Sequence, residues 1–456
     1  MNRHIVARLR QAVASLVWVS VSAGQGERVG AQDAAPGDAF GFSVAVLDGM
    51  LAVGSPTNDA AGNDSGAVYL FQRGAGGWEQ RAKLTAAEAK PGDWLGHSVA
   101  IADGLVVAGA PLADPAGSES GAAFLFVEAA GEWVQVQRLV ASDAAAGARF
   151  GFAVGAAPGV VVVGAYQADG GRGAAYVFEQ IAGVWEQTAR LVPPSPSVGS
   201  YFAQSLAVGD GVVAVGSMGD DSAGVDAGAV HLYVRDGGGG WEFAATIAAD
   251  DATPGALFGA SIGLDGGVMV VGALAGDSGP FTGAAYVFRD AGAAWVQEAR
   301  LAPPAPAPSL YFGRAVAIHG AMAVVGSYRD DTGATDAGAA LVYEENGGAW
   351  SHTATLLATD PDQGDWLGYA VAIDTGVIAA GAHGDDDAGP FSGAAWVFER
   401  CRADFNGDGV VNTLDVLAFL NAFASGDAKA DFNGDGAVNT LDFLAFLNAW
   451  TMGACP

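Results

Sequence analysis

The chain has 456 residues, 51% of them hydrophobic, and 50 acidic against 20 basic side chains, for a net charge of −30. That balance excludes nucleic-acid binding by charge attraction and favours cations as partners. Burying a large core is no difficulty at this length, and a regular strand pattern argues against the disorder that 69 glycines would otherwise suggest.

Residues 1–23 read as a secretory signal. Arg3, Arg8 and Arg10 make a basic start, and Ala12 to Val21 is an apolar run too short to span a membrane. Val21-Ser22-Ala23 is a small-residue cleavage site, with Val29-Gly30-Ala31 as a weaker one. The alternative is an ordinary buried strand, against which the clustered arginines speak. No other stretch has the length and apolarity of a membrane span. The expectation is a secreted, extracellular protein, in one variant associated with the cell surface.

Residues 24–399 repeat a unit of roughly 55 residues seven times, the mark of a stacked or circular array. The first copy holds Phe40-Gly41-Phe42-Ser43-Val44-Ala45-Val46, then Gly49 to Pro56, Gly66 to Phe71, and Trp78 to Leu84. Later copies open at Leu95, Phe150, Phe202, Phe258, Phe312 and Leu367, with Gly-Ala or Gly-Ser turns at Gly109, Gly164, Gly216, Gly272, Gly326 and Gly381. Each unit carries four short strand signals of Val, Phe, Tyr and Trp bounded by Gly, Asp or Pro, and none has a helical period. Asp48-Gly49, Asp103-Gly104 and Asp210-Gly211 lie where a tight hairpin needs positive φ. Four antiparallel strands per unit make one blade, so the pattern predicts an all-β, seven-bladed propeller.

Trp78, Trp133, Trp185, Trp241, Trp295 and Trp350 each start a fourth strand, and the seventh unit stops at Phe398-Glu399 without one. The segment Gly26 to Ala31 aligns with that missing strand through the shared landmarks Pro36-Gly37-Asp38 and Pro91-Gly92-Asp93, placing Val29 where Leu84 falls. The N-terminal segment is therefore expected to supply the outer strand of the last blade. The recurring Phe-Gly followed by Gly-Ala-Pro resembles the FG-GAP repeats of integrin-type propellers over Gly26 to Glu399. The calcium loops that integrin repeats place between the first two strands are replaced by short turns such as Leu47-Asp48-Gly49-Met50. Those sites are not carried over.

Several loops between second and third strands are acidic: Asp220-Asp221 with Asp226, Asp330-Asp331 with Asp336, and Asp385-Asp386-Asp387. They read either as weak calcium sites on a ligand-facing rim or as turns in which Asp serves backbone geometry.

After Arg400 the pattern changes. Asp404 to Asp415 forms a twelve-residue loop, and a near copy follows from Asp431 to Asp442. A hard dication wants six or more oxygens, which such a loop can supply. Asp404, Asn406 and Asp408 offer side chains, Val410 its carbonyl, Asn412 a direct or water-borne contact, and Asp415 closes the shell. Asp431, Asn433, Asp435, Ala437, Asn439 and Asp442 repeat the set. Two calcium ions are expected. Each loop runs into one amphipathic helix, with Leu414, Leu417, Leu420 and Phe423, then Leu441, Leu444, Leu447 and Trp450, at helical spacing. No helix signal precedes either loop, as an EF-hand would require.

Two loop–helix halves with Asp at position twelve resemble a dockerin, over Cys401 to Cys455 within residues 400–456. The Cys-bracketed form is similar to dockerins of planctomycete-type bacteria. Cys401 and Cys455 are the only cysteines, and in an exported chain they read as a disulfide, with free thiols as the alternative. In dockerins the residues after position nine often set partner choice, which points here to Thr413, Leu414, Thr440 and Leu441; for the two leucines, burial in the helix core is the competing reading. The resemblance implies a protein partner, a cohesin-like domain or a cell-surface protein.

The leading expectation is a non-enzymatic scaffold whose propeller presents a binding surface to protein or glycan, with the tail as attachment module. An extracellular polysaccharide hydrolase or lyase is the rival, and integrin-like adhesion a third reading. His97 sits where other units have Phe42, Phe152 and Tyr369, a variable rim position, and His231, His319 and His383 likewise fall inside repeat positions.

Overall fold

The computed structural model describes residues 26–452 apart from 75–76, 210, 276–280, 400–402, 404, 407–410, 428–429, 431 and 433–437. Its strands form seven four-stranded antiparallel sheets. Blade 1 is Ser43–Leu47, Met50–Ser55, Ala67–Gly74 and Gly77–Leu84, in that order from the axis outward. The first strand of each blade packs beside the first strand of the next, and that of blade 7 returns to blade 1, so the sheets close into a ring. Burial follows position. The second strand of blade 2, Leu105–Ala110, is buried throughout, whereas most of the fourth, Glu132–Leu139, alternates between part-buried and exposed residues. Hairpins between first and second strands turn on left-handed pairs, Asp48-Gly49 and Asp103-Gly104, as their sequences require.

The ring closes as the repeat register predicts. Blade 7 consists of Ala370–Asp374, Val377–Ala382, Ala394–Glu399 and, from the other end of the chain, Gly26–Val29. Val29 pairs with Ala395 as Leu84 pairs with Val68. Arg28 grips Asp385 with two nitrogens, Nη2 to Oδ1 at 2.5 Å and Nε to Oδ2 at 3.2 Å. Between blade 7 and blade 1, Glu27 accepts the Trp78 backbone N–H (2.8 Å), and Trp78 Nε1 donates to Glu399 (2.8 Å).

The glycines of the repeat explain its signature, and they correct one expectation. Gly54 and its counterparts do not make turns; they lie inside the second strand, against the next blade. A Cβ at Gly54 would lie 2.0 Å from the Gly96 carbonyl oxygen, and one at Gly66 2.1 Å from that of Leu95. The Leu95-Gly96 turn of blade 2 therefore plugs into two side-chain-free slots of blade 1. Ser43 Oγ donates to the Gly96 carbonyl (2.8 Å), and Ser98, Ser205 and Ser261 repeat that bond. The Phe or Leu of each plug is buried. The motif is a blade-to-blade joint, which is why it must recur in every unit.

One joint carries a pH-sensitive group. In blade 1 the buried Asp38 accepts from Asn58 Nδ2 (2.9 Å); in blade 7 the matching pair is Asp365 and Asp385. Burial first, then the charges of Asp385, Asp362 and Asp386, push Asp365 up to about 6, against the bond it accepts from the Asp362 N–H. The folded state thus holds this proton more tightly than the unfolded chain. Its contribution to stability is full below about pH 4 and is lost as pH rises toward 6. Asp365→Asn, which keeps an acceptor for Asp362, should match the parent's melting temperature at pH 4 and exceed it at pH 7.5. Equal melting at both pH values would contradict this origin.

Candidate functional site

Seven residues, one per blade, ring the axis at the position after the Phe-Gly plug: Phe42, His97, Phe152, Gln204, Ala260, Arg314 and Tyr369. Each lies at or just before the start of the first strand of its blade, except Ala260, which is the third residue of Phe258–Asp265, and together they line the mouth of a cavity of about 290 Å³. Val44, Val99, Val154, Leu206, Ile262, Val316 and Val371 form an aliphatic collar two residues further on. Among the described residues, no Asp or Glu lines the cavity.

The mouth is aromatic. Phe42 lies 5.1 Å from His97, 5.2 Å from Tyr369 and 5.4 Å from His383 between ring centroids. The chain of rings continues through His97, Phe152, Tyr166 and Tyr201 on one side, and through Tyr369, Tyr328, Tyr311 and Phe281 on the other. Trp366 and Phe391 extend it beside His383. His97 and His383, read separately in the sequence, thus belong to one cluster. His231 does not: it is buried in blade 4, with Nε2 3.5 Å from Asp220 and Nδ1 3.1 Å from Thr246 Oγ1. His319 lies elsewhere, near Asp265 and Asp374.

Burial pushes His97 down to about 4, with Arg314 and Arg149 adding to the effect and a bond to the Phe152 carbonyl opposing it. His383 falls to about 4 for the same first reason, with Arg314 second. Both imidazoles are neutral at pH 7. The Phe152 carbonyl can only accept, so Nδ1 of His97 carries the proton (3.1 Å) and Nε2 is left as an acceptor. The charge at the mouth is Arg314, which lies over Tyr369 at 4.5 Å and donates to its hydroxyl at 3.1 Å. Sequence reading passed over Arg314. The signal was present: aligned across the seven units, this position is charged only there.

The backbone adds a second signal. The residue before each plug has left-handed φ in all seven blades, from 51° to 61°. Glycine or Asn would fit with least strain. The chain places Trp94, Tyr201, Tyr311 and Trp366 there, and Phe281 and Phe391 at a neighbouring left-handed position. Six bulky rings in a costly conformation on one face point to use rather than to packing.

In the acidic loops, carboxylates bond their own backbone. Asp221 Oδ1 accepts from the Asp226 N–H (2.8 Å), Asp331 from Asp336 (2.8 Å) and Asp385 from Asp387 (3.3 Å). Asp220 and Asp330 cap Ser222 and Thr332 in the same way. Among the described residues, no three His, Cys, Asp or Glu side chains are grouped to hold a metal.

The tail holds two helices, α1 (Thr413–Ser425) and α2 (Thr440–Met452). Asn412 caps α1, its Oδ1 accepting the Leu414 N–H (2.7 Å), and Asn439 caps α2 through Leu441 (2.9 Å). The buried Asp415 accepts from the Asn406 N–H (3.0 Å) and the Asn412 N–H (2.8 Å), and the buried Asp442 from the Asn439 N–H (2.7 Å). Each position-twelve carboxylate is thus folded back on its own loop. Asp404, Asp408, Val410, Asp431, Asn433, Asp435 and Ala437 lie outside the described residues, as do Cys401, Cys455 and residues 1–23. The full donor set is oxygen alone, which suits a hard dication such as calcium.

The exposure of the leucines speaks against burial in the helix core, the competing reading of Leu414 and Leu441. Leu414, Leu417, Leu441 and Leu444 are 55–57% exposed, and Leu420 is 40% exposed. The core is instead the Phe419–Phe446 stack, with centroids 4.3 Å apart and planes at 2°, edged by Phe405 and Phe432. Each helix carries two apolar stripes. The aromatic one buries more surface and takes the core, leaving Leu414, Leu417, Leu420, Leu441 and Leu444 outside while Leu447 packs against it.

A closed ring of seven sheets with a doubled loop–helix tail defines a β-propeller joined to a docking-type module. Residues 24–71, 78–126, 133–178, 185–233, 241–288, 295–343 and 350–398 match the FG-GAP repeat, and residues 402–449 match the dockerin type I domain. The FG-GAP segments cover more than half of the chain, which therefore belongs to the FG-GAP repeat family. Each matched segment begins with the fourth strand of one blade and ends with the third of the next, so every repeat straddles a joint. Dockerin type I domains bind calcium and dock onto cohesin-type protein partners. The chain matches no curated protein. Among the described residues no helix is long and apolar enough to cross a membrane.

Proposed function

We propose that this is an exported, non-enzymatic binding protein whose propeller presents a ligand surface while its tail, folded around two calcium ions, attaches it to a cohesin-type domain. The observation that carries this reading is the pair of exposed leucine rows, Leu414 with Leu417 and Leu441 with Leu444, at matched places on two helices whose cores lie elsewhere. Such rows beside Thr413 and Thr440 are a surface in need of a partner. The propeller supports binding rather than hydrolysis because its axial mouth offers one guanidinium, neutral imidazoles and aromatic rings, with no carboxylate pair for acid–base work.

Surface plasmon resonance of the full chain on a panel of cohesin domains tests the attachment. Because the halves are duplicates, Leu414→Asp with Leu417→Asp should leave binding within a few-fold, as should the same change at Leu441 and Leu444. All four changes together should reduce it more than a hundredfold. A fourfold variant that binds as the parent does would sink the reading.

A further inference from the structure

The axial mouth has a chemistry more specific than a general binding surface, and the inference here rests on reading the propeller as a binding module. Within a chain this acidic, described arginines such as Arg28, Arg149, Arg190, Arg235 and Arg289 are held by carboxylates. Arg314 has no carboxylate within ion-pair distance among the described residues and lies on Tyr369 instead. Beside it in ring order stands Ala260, the smallest of the seven mouth residues, which leaves room next to the guanidinium. Oε1 of Gln204, at the mouth, and Nδ1 of His383, in the ring cluster beside it, are buried without a hydrogen-bond partner. Native proteins rarely leave such atoms unsatisfied unless a ligand or water completes them.

These features select a ligand. A guanidinium fork takes a carboxylate in bidentate fashion. Phe42, Tyr369 and His383 offer ring faces and edges within 4.1–5.4 Å of one another, suited to the C–H face of a pyranose. Gln204 and the His97 Nε2 acceptor suit hydroxyls. A volume of about 290 Å³ holds one sugar ring rather than a threaded chain. The net charge of −30 repels a long polyanion, so the acid must be isolated.

We propose that the axial mouth binds a uronate residue at the end of an otherwise neutral glycan, with its carboxylate on Arg314 and its ring against Phe42 and Tyr369. Calorimetry on the full chain in calcium at pH 7.5 tests this with three probes: cellobiouronic acid, its methyl ester and cellobiose. The acid should bind at least tenfold more tightly than either neutral sugar. Arg314→Gln should abolish that preference, and Arg314→Lys should restore part of it. The ester comparison needs no variant and survives any folding defect in one. Equal binding of acid and ester, or an acid preference untouched by Arg314→Gln, would overturn the assignment. So would a glutamate-terminated peptide that binds as well as the sugar acid, which would make the mouth a peptide site. Cohesin docking by the tail is measured separately, so an acid-blind propeller on a docking-competent chain overturns the ligand class alone.

Discussion

Gly381→Ala should destabilise the propeller by about 3 kcal/mol, at the upper end of what overpacking a filled site costs. A Cβ at Gly381 would lie 1.9 Å from the backbone oxygen of Gly41, where blade 7 receives the plug of blade 1. Neither atom sits on a flexible side chain, so the joint itself must open. Gly147→Ala is the control: Gly147 has φ of 76° but nothing within 4 Å of an added Cβ, so only left-handed strain remains, about 1 kcal/mol. Ser98→Ala removes one joint hydrogen bond and should also cost about 1 kcal/mol. Blades 3, 6 and 7 already carry Ala153, Ala315 and Ala370 at that place, so the serine is dispensable where the glycine is not. Denaturant unfolding followed by tryptophan fluorescence ranks the three. If Gly381→Ala and Gly147→Ala cost the same, the joint does not work by steric exclusion.

Chelator with reductant should melt the tail and spare the ring. The tail's core is small, centred on Phe419, Ala430, Phe432 and Phe446, too little for a stable fold without staples. Calcium would supply one, since each empty loop would crowd its carboxylates together. A disulfide between Cys401 and Cys455 would supply the other, about 4 kcal/mol for a loop of this length. The propeller depends on neither, its closure being a strand pairing and the Arg28–Asp385 bridge. Calorimetry should show the tail transition collapse on treatment while the propeller transition holds. A helical dichroism signal that survives both reagents would refute the stapling.

The ring was legible because its signature residues are joint residues. Gly54, Gly66 and the plug each fill a need present in all seven blades, so the need is written seven times. The closing strand was readable from register alone, because the repeat and the blade are one strand out of phase. The axial site was harder. Its residues occupy two repeat positions whose side chain varies from blade to blade, so repeat logic treats Arg314, His97 and His383 as noise, and only the ring gathers them. The tail's core was not legible for another reason: spacing identifies an apolar stripe, but two stripes share each helix. Choosing between Leu417 and Phe419 needs the partner helix, where Phe446 waits.

Attachment through the calcium-loaded tail is the claim on which the rest is built. Capture of the full chain on an immobilised cohesin domain, followed through cycles of calcium and chelator, tests it most directly. Binding should rise with calcium, fall to background on chelation and return when calcium is restored, with the propeller's melting transition constant throughout. Capture that persists unchanged in chelator would contradict the account.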